Sequence, residues 1–152
     1  MFKMITFLIG LLGGAVSFML AILIEGALAS FYPDFLFKNN PYYLLVLLIP
    51  ALAEEGAKIA VAKRMMEIFS PPGIIVGLGL GFGIIEAVVA TSQTSPAVFL
   101  NPLAWVHLIF LGAGYLIASK VRRGSILPAW ITVSVFLHWI YDILVYILVN
   151  NR

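Results

Sequence analysis

Five long apolar runs dominate the chain, and short segments containing proline, glycine or charged residues separate them. A helix needs about 20 apolar residues to cross the hydrocarbon core of a bilayer, and each run is close to that length. The pattern therefore predicts a single all-α domain, residues 1–152, built as a polytopic membrane bundle of about five transmembrane helices. The predicted spans cover residues 4–29, 42–62, 73–90, 102–119 and 127–149.

The composition favours a location within the lipid bilayer. Hydrophobic residues make up 62% of the chain and charged residues 11%, whereas soluble domains are about half apolar and roughly one quarter charged. The mean hydropathy is +1.09. So few charges could not cover a water-soluble globule, which excludes a soluble enzyme, a nucleic-acid-binding protein and a disordered linker. The chain has no cysteine, so thiol catalysis, disulfides and cysteine metal sites are excluded as well.

The first apolar run has two interpretations. Lys3 precedes it, and Ala27-Leu28-Ala29 has the small-residue pattern of a signal-peptide cleavage site. The run is nevertheless longer than the apolar region of about 7 to 15 residues that a signal peptide usually has. We therefore expect a retained transmembrane helix, with a cleaved signal peptide as the alternative.

Lysine and arginine between the runs predict the orientation, because cytoplasmic loops carry an excess of these residues. If the chain crosses the membrane five times, one side carries Lys3, Lys63, Arg64, Lys120, Arg122 and Arg123, and the other side carries Lys38 and Arg152. This distribution predicts a multi-pass protein of the cell membrane, with a cytoplasmic N-terminus and an external C-terminus.

Seven ionisable residues interrupt the predicted spans, namely Glu54, Glu55, Lys58, Glu86, His107, His138 and Asp142. Charged groups at bilayer depth cost a few kcal/mol or more each, and they usually mark functional sites. Most of the seven lie between the midplane and the predicted outer surface, so we expect them to share one wet cavity. The alternative for each residue alone is a pairing role that only holds helices together. Glu25, near the end of the first run, is interpreted as a surface or packing residue.

Two spacings fit a shared site. Glu54 and Lys58 are four residues apart, as are His138 and Asp142, so each pair lies on one helix face. Lys58 would keep a glutamate ionised, and Asp142 would orient the His138 ring as a carboxylate does behind a metal-bound histidine. Two histidines and one glutamate from three helices would suit zinc, with a further glutamate free as a general base.

Four glycines alternate along the third run, at Gly77, Gly79, Gly81 and Gly83. A phosphate-binding loop would need a following lysine and a loop outside the membrane. Glycines four residues apart instead allow another helix to approach closely. We therefore expect tight helix packing that brings Glu86 near its partners.

The ionisable residues belong to four segments that form an ordered set of motifs. These are Glu54-Glu55-x-x-Lys58, Gly81-Phe82-x-x-x-Glu86, His107-x-x-Phe110 followed by Gly114-Tyr115, and His138-x-x-Tyr141-Asp142. In order and approximate spacing they resemble the four motifs of the PrsW family of intramembrane proteases, over roughly two thirds of the chain. That family belongs to a wider group with the type 2 CAAX-prenyl proteases.

The resemblance implies peptide-bond hydrolysis inside the membrane. Glu54 matches the glutamate that activates water, and Glu55 matches its neighbour. Glu86, His107 and His138 match positions treated as metal ligands or oxyanion stabilisers. The resemblance thus predicts an intramembrane peptidase of the metalloprotease type, and the residue types make zinc the candidate metal. In this scheme Glu54, Glu55 and His138 are catalytic, and Lys58 and Asp142 support them.

The expected partners are the lipid bilayer and a membrane protein or peptide substrate, and no nucleic acid. A metal-free glutamate mechanism is left open. Two other functions also remain as alternatives: a catalytically inactive relative that serves as a membrane binding or chaperone module, and a proton-coupled transporter, since buried acids and histidines also form ion pathways.

Overall fold

The computed structural model describes residues 2–31, 43–92, 101–121 and 125–150, and these residues form helices without a strand. The helices are α1 (Phe2–Phe31), α2 (Tyr43–Val46), α3 (Leu48–Met66), α4 (Pro71–Thr91), α5 (Leu103–Val121) and α6 (Leu127–Asn150). The all-α prediction is confirmed. Four of the five long helices begin and end within two residues of the predicted spans.

The second predicted span differs most from the structure. It was expected as one helix over residues 42–62, but the chain forms the one-turn α2, a junction at Leu47, and then α3, which extends to Met66. Pro50 explains the junction, because a proline has no N–H to donate to the carbonyl four residues earlier and its ring crowds that carbonyl. The carbonyl in question belongs to Val46, the last residue of α2.

Among the described residues, four helices are long and apolar enough to cross a bilayer: α1, α4, α5 and α6. The remaining long helix, α3, has 19 residues but carries Glu54, Glu55 and Lys58 in its interior and Lys63 and Arg64 in its last turn. The chain is therefore a membrane-embedded helix bundle whose most polar helix is protected by the others.

Helix α3 occupies the centre of the bundle. It contacts α1, α4, α5 and α6, while α1 packs on α4, α4 on α5, and α5 on α6. Alanines at positions 51, 53, 57 and 62 are buried along α3, and their small side chains let the surrounding helices come close. The polar side chains of α3 therefore point at neighbouring helices as well as at any opening between them.

Glycines set the spacing on both faces of α4. A Cβ atom on Gly14 of α1 would lie 2.5 Å from the Phe82 nitrogen, and a Cβ on Gly79 would lie 2.6 Å from Cα of Leu108 on α5. A Cβ on Gly83 would lie 2.6 Å from the Leu103 carbonyl oxygen. The glycines of α4 thus allow two different helices, α1 and α5, to approach closely, as the close-packing interpretation requires.

The contacts also fix the relative directions of the helices. Gly10 lies beside Gly77, and Gly14 beside Phe82, so α1 and α4 run parallel. By the same kind of contact, α3 is antiparallel to α1, α5 is antiparallel to α4, and α6 is antiparallel to α5. The start of α1 and the ends of α3 and α5 therefore share one end of the bundle.

That shared end carries Lys3, Lys63, Arg64 and Lys120. The other residues of the orientation prediction, Lys38, Arg122, Arg123 and Arg152, lie outside the described residues, as does Tyr42, the first residue of the second predicted span.

The interior is apolar toward this basic end. Its core there is built from Ile59, Ala62, Ile74, Leu78, Leu111 and Trp130 with their neighbours. The Trp130 indole donates a hydrogen bond of 3.0 Å to the Leu111 carbonyl, which joins α6 to α5. The buried ionisable residues lie beyond this core, toward the opposite end of the bundle.

Candidate functional site

All seven ionisable residues singled out in the sequence lie in one region of the bundle. Helix α3 contributes Glu54, Glu55 and Lys58, α4 contributes Glu86, α5 contributes His107, and α6 contributes His138 and Asp142. They are linked by hydrogen bonds or by oxygen–nitrogen distances below 4 Å. We call this set the polar cluster.

Glu55 and Lys58 form the buried base of the polar cluster. Both side chains are fully buried, and Lys58 Nζ lies 2.5 Å from Glu55 Oε1. The same carboxylate oxygen lies 3.0 Å from His138 Nδ1. Lys58 Nζ also lies 4.2 Å from the centre of the Phe82 ring, a favourable place for a cation. One ion pair thereby connects α3 to α6 and, through the lysine, to the aromatic face of α4.

His107 has a partner at each ring nitrogen. Lys58 Nζ is 2.6 Å from Nδ1, and a Glu86 carboxylate oxygen contacts Nε2. An ammonium group can only donate and a carboxylate can only accept. The arrangement therefore assigns a lone pair to Nδ1 and a hydrogen to Nε2. His107 is held between α3 and α4 in a single tautomer.

His138 is oriented mainly by Glu55. Its Nδ1 lies 3.0 Å from Glu55 Oε1 and so donates to that carboxylate. Its Nε2 lies 3.6 Å from Asp142 Oδ1 and 3.8 Å from Glu54 Oε2, which is beyond ordinary hydrogen-bond distance. Asp142 is thus adjacent to the ring, but the direct hydrogen bond that the sequence suggested for it is made by Glu55.

Glu54 has one free carboxylate oxygen. Like Glu55 Oε2, its Oε2 is buried and has no hydrogen-bond partner among the described residues. Two imidazole nitrogens flank it, His107 Nδ1 at 3.9 Å and His138 Nε2 at 3.8 Å. The predicted pairing of Lys58 with Glu54 is replaced by the pairing with Glu55.

A metal ion could be held by Glu54, His107 and His138, whose donor atoms all lie within 4.8 Å of one another. Two histidines and a carboxylate are a usual zinc set, and the unpartnered Glu54 oxygen fits such a role. One donor is already engaged, however, because Lys58 occupies the lone pair of His107 Nδ1. Glu86, predicted as a ligand, lies outside this group of three and contacts the other nitrogen of His107.

Aromatic rings enclose the two histidines. Phe82 lies 4.7 Å from His107 between ring centres, and Phe110 stacks on His138 at 5.0 Å. Tyr141 packs against Phe110 in turn, at 5.7 Å. Apolar walls of this kind limit the number of waters at the imidazoles, which strengthens electrostatic interactions inside the site. Phe82 and Phe110 both belong to the sequence motifs, but no role was predicted for either of them.

One edge of the polar cluster is open. The side chains of Glu54, Glu86 and Asp142 are 16%, 27% and 22% exposed, whereas Glu55 and Lys58 are fully buried. Exposure therefore increases from the buried base of Glu55 and Lys58 to an open edge formed by Glu54, Glu86 and Asp142. We call this open edge the mouth. A small molecule or an extended peptide arriving at the mouth would pass Glu86 and Asp142 and then reach the less exposed Glu54.

Glu25 is a further acid near this mouth that the sequence interpretation placed on the surface. It is half-buried, its Oε1 has no hydrogen-bond partner among the described residues, and it repels Glu54, Glu86 and Asp142 electrostatically. The signal was its spacing: Phe18, Ala21 and Glu25 follow the i, i+3, i+7 pattern of one helix face, and the first two are buried.

No family model, curated protein or solved structure was found to match this chain. The resemblance to the PrsW family therefore stays a prediction based on the four motifs.

Proposed function

We propose that the protein is an intramembrane protease that hydrolyses peptide bonds of membrane-associated proteins with water activated by Glu54. The supporting observation is the free, buried Oε2 of Glu54 between two imidazole nitrogens, in a cluster assembled from four helices. Burying so many ionisable groups in a membrane protein is costly. The motifs that resemble PrsW proteases contribute the residues of this cluster.

Glu54 is the general base of the proposed reaction. Its free oxygen removes a proton from water as the water oxygen bonds to the carbonyl carbon of the substrate. When the tetrahedral intermediate collapses, the carbon–nitrogen bond breaks and Glu54 returns the proton to the leaving nitrogen. Glu55 is less suited to this role, although its Oε2 is also unpartnered, because its side chain is fully buried and paired with Lys58, whereas Glu54 is partly exposed.

His138 is the proposed donor to the oxyanion. Both nitrogens of His107 are engaged, whereas Nε2 of His138 lies in the same space as the free Glu54 oxygen. Glu55 positions the ring through Nδ1, which carries the hydrogen of that contact. A second hydrogen on Nε2, present in the imidazolium form, would stabilise the developing negative charge. If Glu54, His107 and His138 held a zinc ion instead, the metal would supply the Lewis acidity and Glu54 would be a ligand rather than the base.

The surroundings of the mouth suggest how a membrane-borne substrate arrives. Helices α1 and α6 pack on α3, and among the described residues they share at most a slight contact with each other. Glu25 of α1 and Asp142 of α6 are both near enough to Glu54 to interact with it electrostatically. We propose lateral entry of a substrate segment here, in the half of the membrane opposite the basic, cytoplasmic end.

The test is cleavage by the purified protein reconstituted in liposomes. A panel of fluorescent single-span peptides serves as the probe, and reaction in ¹⁸O-labelled water marks each new C-terminus that hydrolysis creates. We expect Glu54→Gln to lower the rate by a factor on the order of 10² to 10⁴, the usual contribution of a general base. His138→Ala should lower it as well.

Glu67→Gln is the matched control. Glu67 lies just after α3 and forms an exposed ion pair with Arg64, so this variant should keep full activity. Cleavage that persists unchanged in Glu54→Gln and His138→Ala would refute the proposal. A wild-type protein that cleaves nothing yet dissipates a proton gradient across the liposomes would instead support the transport alternative.

A further inference from the structure

We propose that the ammonium group of Lys58 takes the place of a metal ion in the polar cluster, so that Lys58 and a divalent metal bind His107 Nδ1 in mutually exclusive ways. The inference concerns which cation the cluster holds. It does not depend on whether the protein is a protease.

The hydrogen bonds of His107 carry the first step. Lys58 Nζ is 2.6 Å from Nδ1, and its ammonium group can only donate hydrogen bonds. Glu86 contacts Nε2 and, as a carboxylate, only accepts. Both ends require the same tautomer, and in that tautomer the single lone pair of the ring points at Lys58. A metal ion cannot bind the ring until the lysine moves away.

The other two donors of the group are not blocked. Glu54 Oε2 has no hydrogen-bond partner among the described residues, and His138 Nε2 has only Asp142 at 3.6 Å and Glu54 at 3.8 Å around it. Glu54 Oε2 lies 3.9 Å from His107 Nδ1 and 3.8 Å from His138 Nε2, and one ligand atom from each of the three residues lies within 4.8 Å of the others. The set is thus complete for zinc in residue type and spacing, and Lys58 occupies one of its three positions.

Lys58 is firmly held in that position. The side chain is fully buried, pairs with Glu55 at 2.5 Å and lies over the Phe82 ring. Among the described residues, it is the one lysine or arginine that pairs with an acid of the cluster. Removing its charge would leave the carboxylates of the cluster without this cation, and a divalent ion at the freed nitrogen would compensate them.

The experiment compares metal binding by the wild type and by Lys58→Met, whose side chain is unbranched and one atom shorter but has no hydrogen-bond donor. Cobalt(II) is titrated into each detergent-purified protein, and its visible absorption reports coordination by histidine. We expect Lys58→Met to bind one equivalent at least about tenfold more tightly than the wild type, because groups that contact metal ligands change affinity about 10- to 100-fold.

Two controls identify the cause. Lys63→Met removes an exposed lysine of the same helix and should leave cobalt affinity unchanged. Adding His107→Ala to Lys58→Met should abolish the gain. If the wild type binds cobalt as tightly as Lys58→Met, or if the gain survives His107→Ala, the inference is wrong.

A measurement on the wild type covers the case in which Lys58→Met does not fold. The chain has 2 histidines, so ¹⁵N-histidine labelling yields two rings, which His138→Asn assigns. We expect the metal-free protein to show His107 with an unprotonated Nδ1 and a protonated Nε2. A hydrogen on Nδ1 would overturn the inference.

These outcomes are separate from those of the proposed protease. Tighter cobalt binding in a protein that never cleaves a peptide would refute the protease alone. Cleavage that depends on Glu54, with cobalt affinity unaffected by Lys58→Met, would refute the Lys58 inference alone.

Discussion

The spacing between α4 and α5 controls the site, and Gly79→Ala is the substitution that tests this most directly. The Cβ atom of an alanine would lie 2.6 Å from Cα of Leu108 and 3.3 Å from the His107 carbonyl oxygen. Ordinary contacts of a Cβ atom begin at 3.4 Å. The atoms in the way belong to the backbone of α5. Because packed interiors do not deform locally, the two helices must move apart by about 1 Å.

Two costs follow from this separation. Overpacking of a close interface typically costs about 1–3 kcal/mol of stability. His107 meets Glu86 across the same interface, and a displacement of about 1 Å in a catalytic site can lower the rate about 10²-fold. Gly79→Ala should therefore lose both stability and, if the protein is a protease, cleavage.

Gly112→Ala is the control, because a Cβ at Gly112 of α5 would meet nothing within 4 Å. It makes the same chemical change in a helix, where alanine is favoured over glycine by up to about 1 kcal/mol. Both variants are unfolded in detergent with increasing SDS, followed by tryptophan fluorescence. Equal midpoints for Gly79→Ala and Gly112→Ala would show that the close approach of α4 and α5 does not limit stability.

Two further predictions separate stability from chemistry. Glu55→Gln breaks a fully buried ion pair and leaves the Lys58 charge uncompensated, so we expect a loss of about 3–5 kcal/mol in the same unfolding assay; a midpoint within error of the wild type would contradict this. Trp130→Phe removes the buried hydrogen bond to the Leu111 carbonyl and should cost about 1–3 kcal/mol while cleavage per folded molecule is unchanged; a lower rate would show that the apolar half also shapes the site.

The apolar runs were sufficient to predict the helices, and one proline accounts for the largest difference. Residues 73–90 became Pro71–Thr91, and 127–149 became Leu127–Asn150. The second run was expected to begin at Tyr42. Pro50 instead separates α2 from α3. The position of a proline in the sequence shows where a backbone hydrogen bond is lost, but it does not show how the chain bends there.

The membership of the polar cluster was predictable, but its pairing was not. The cost of charge in a bilayer singled out the seven residues, and all seven lie together. On an isolated helix Lys58 can reach Glu54, four residues away, or Glu55, three residues away. The choice depends on how α3 is rotated within the bundle, which no spacing along one helix determines. That rotation buries Glu55 and leaves Glu54 at the mouth.

This rotation of α3 explains why two adjacent glutamates have different environments. Glu55 faces inward, where Lys58 and His138 both donate to it, and its removal would weaken the fold. Glu54 faces the mouth with one oxygen free, so its loss would cost the fold little and the proposed chemistry much. A buried carboxylate oxygen without a hydrogen-bond partner gains nothing for stability, and this holds for Oε2 of both glutamates. What distinguishes Glu54 is its partial exposure together with the position of its Oε2 beside two imidazole nitrogens, which is where the proposed reaction or a ligand would need a free oxygen.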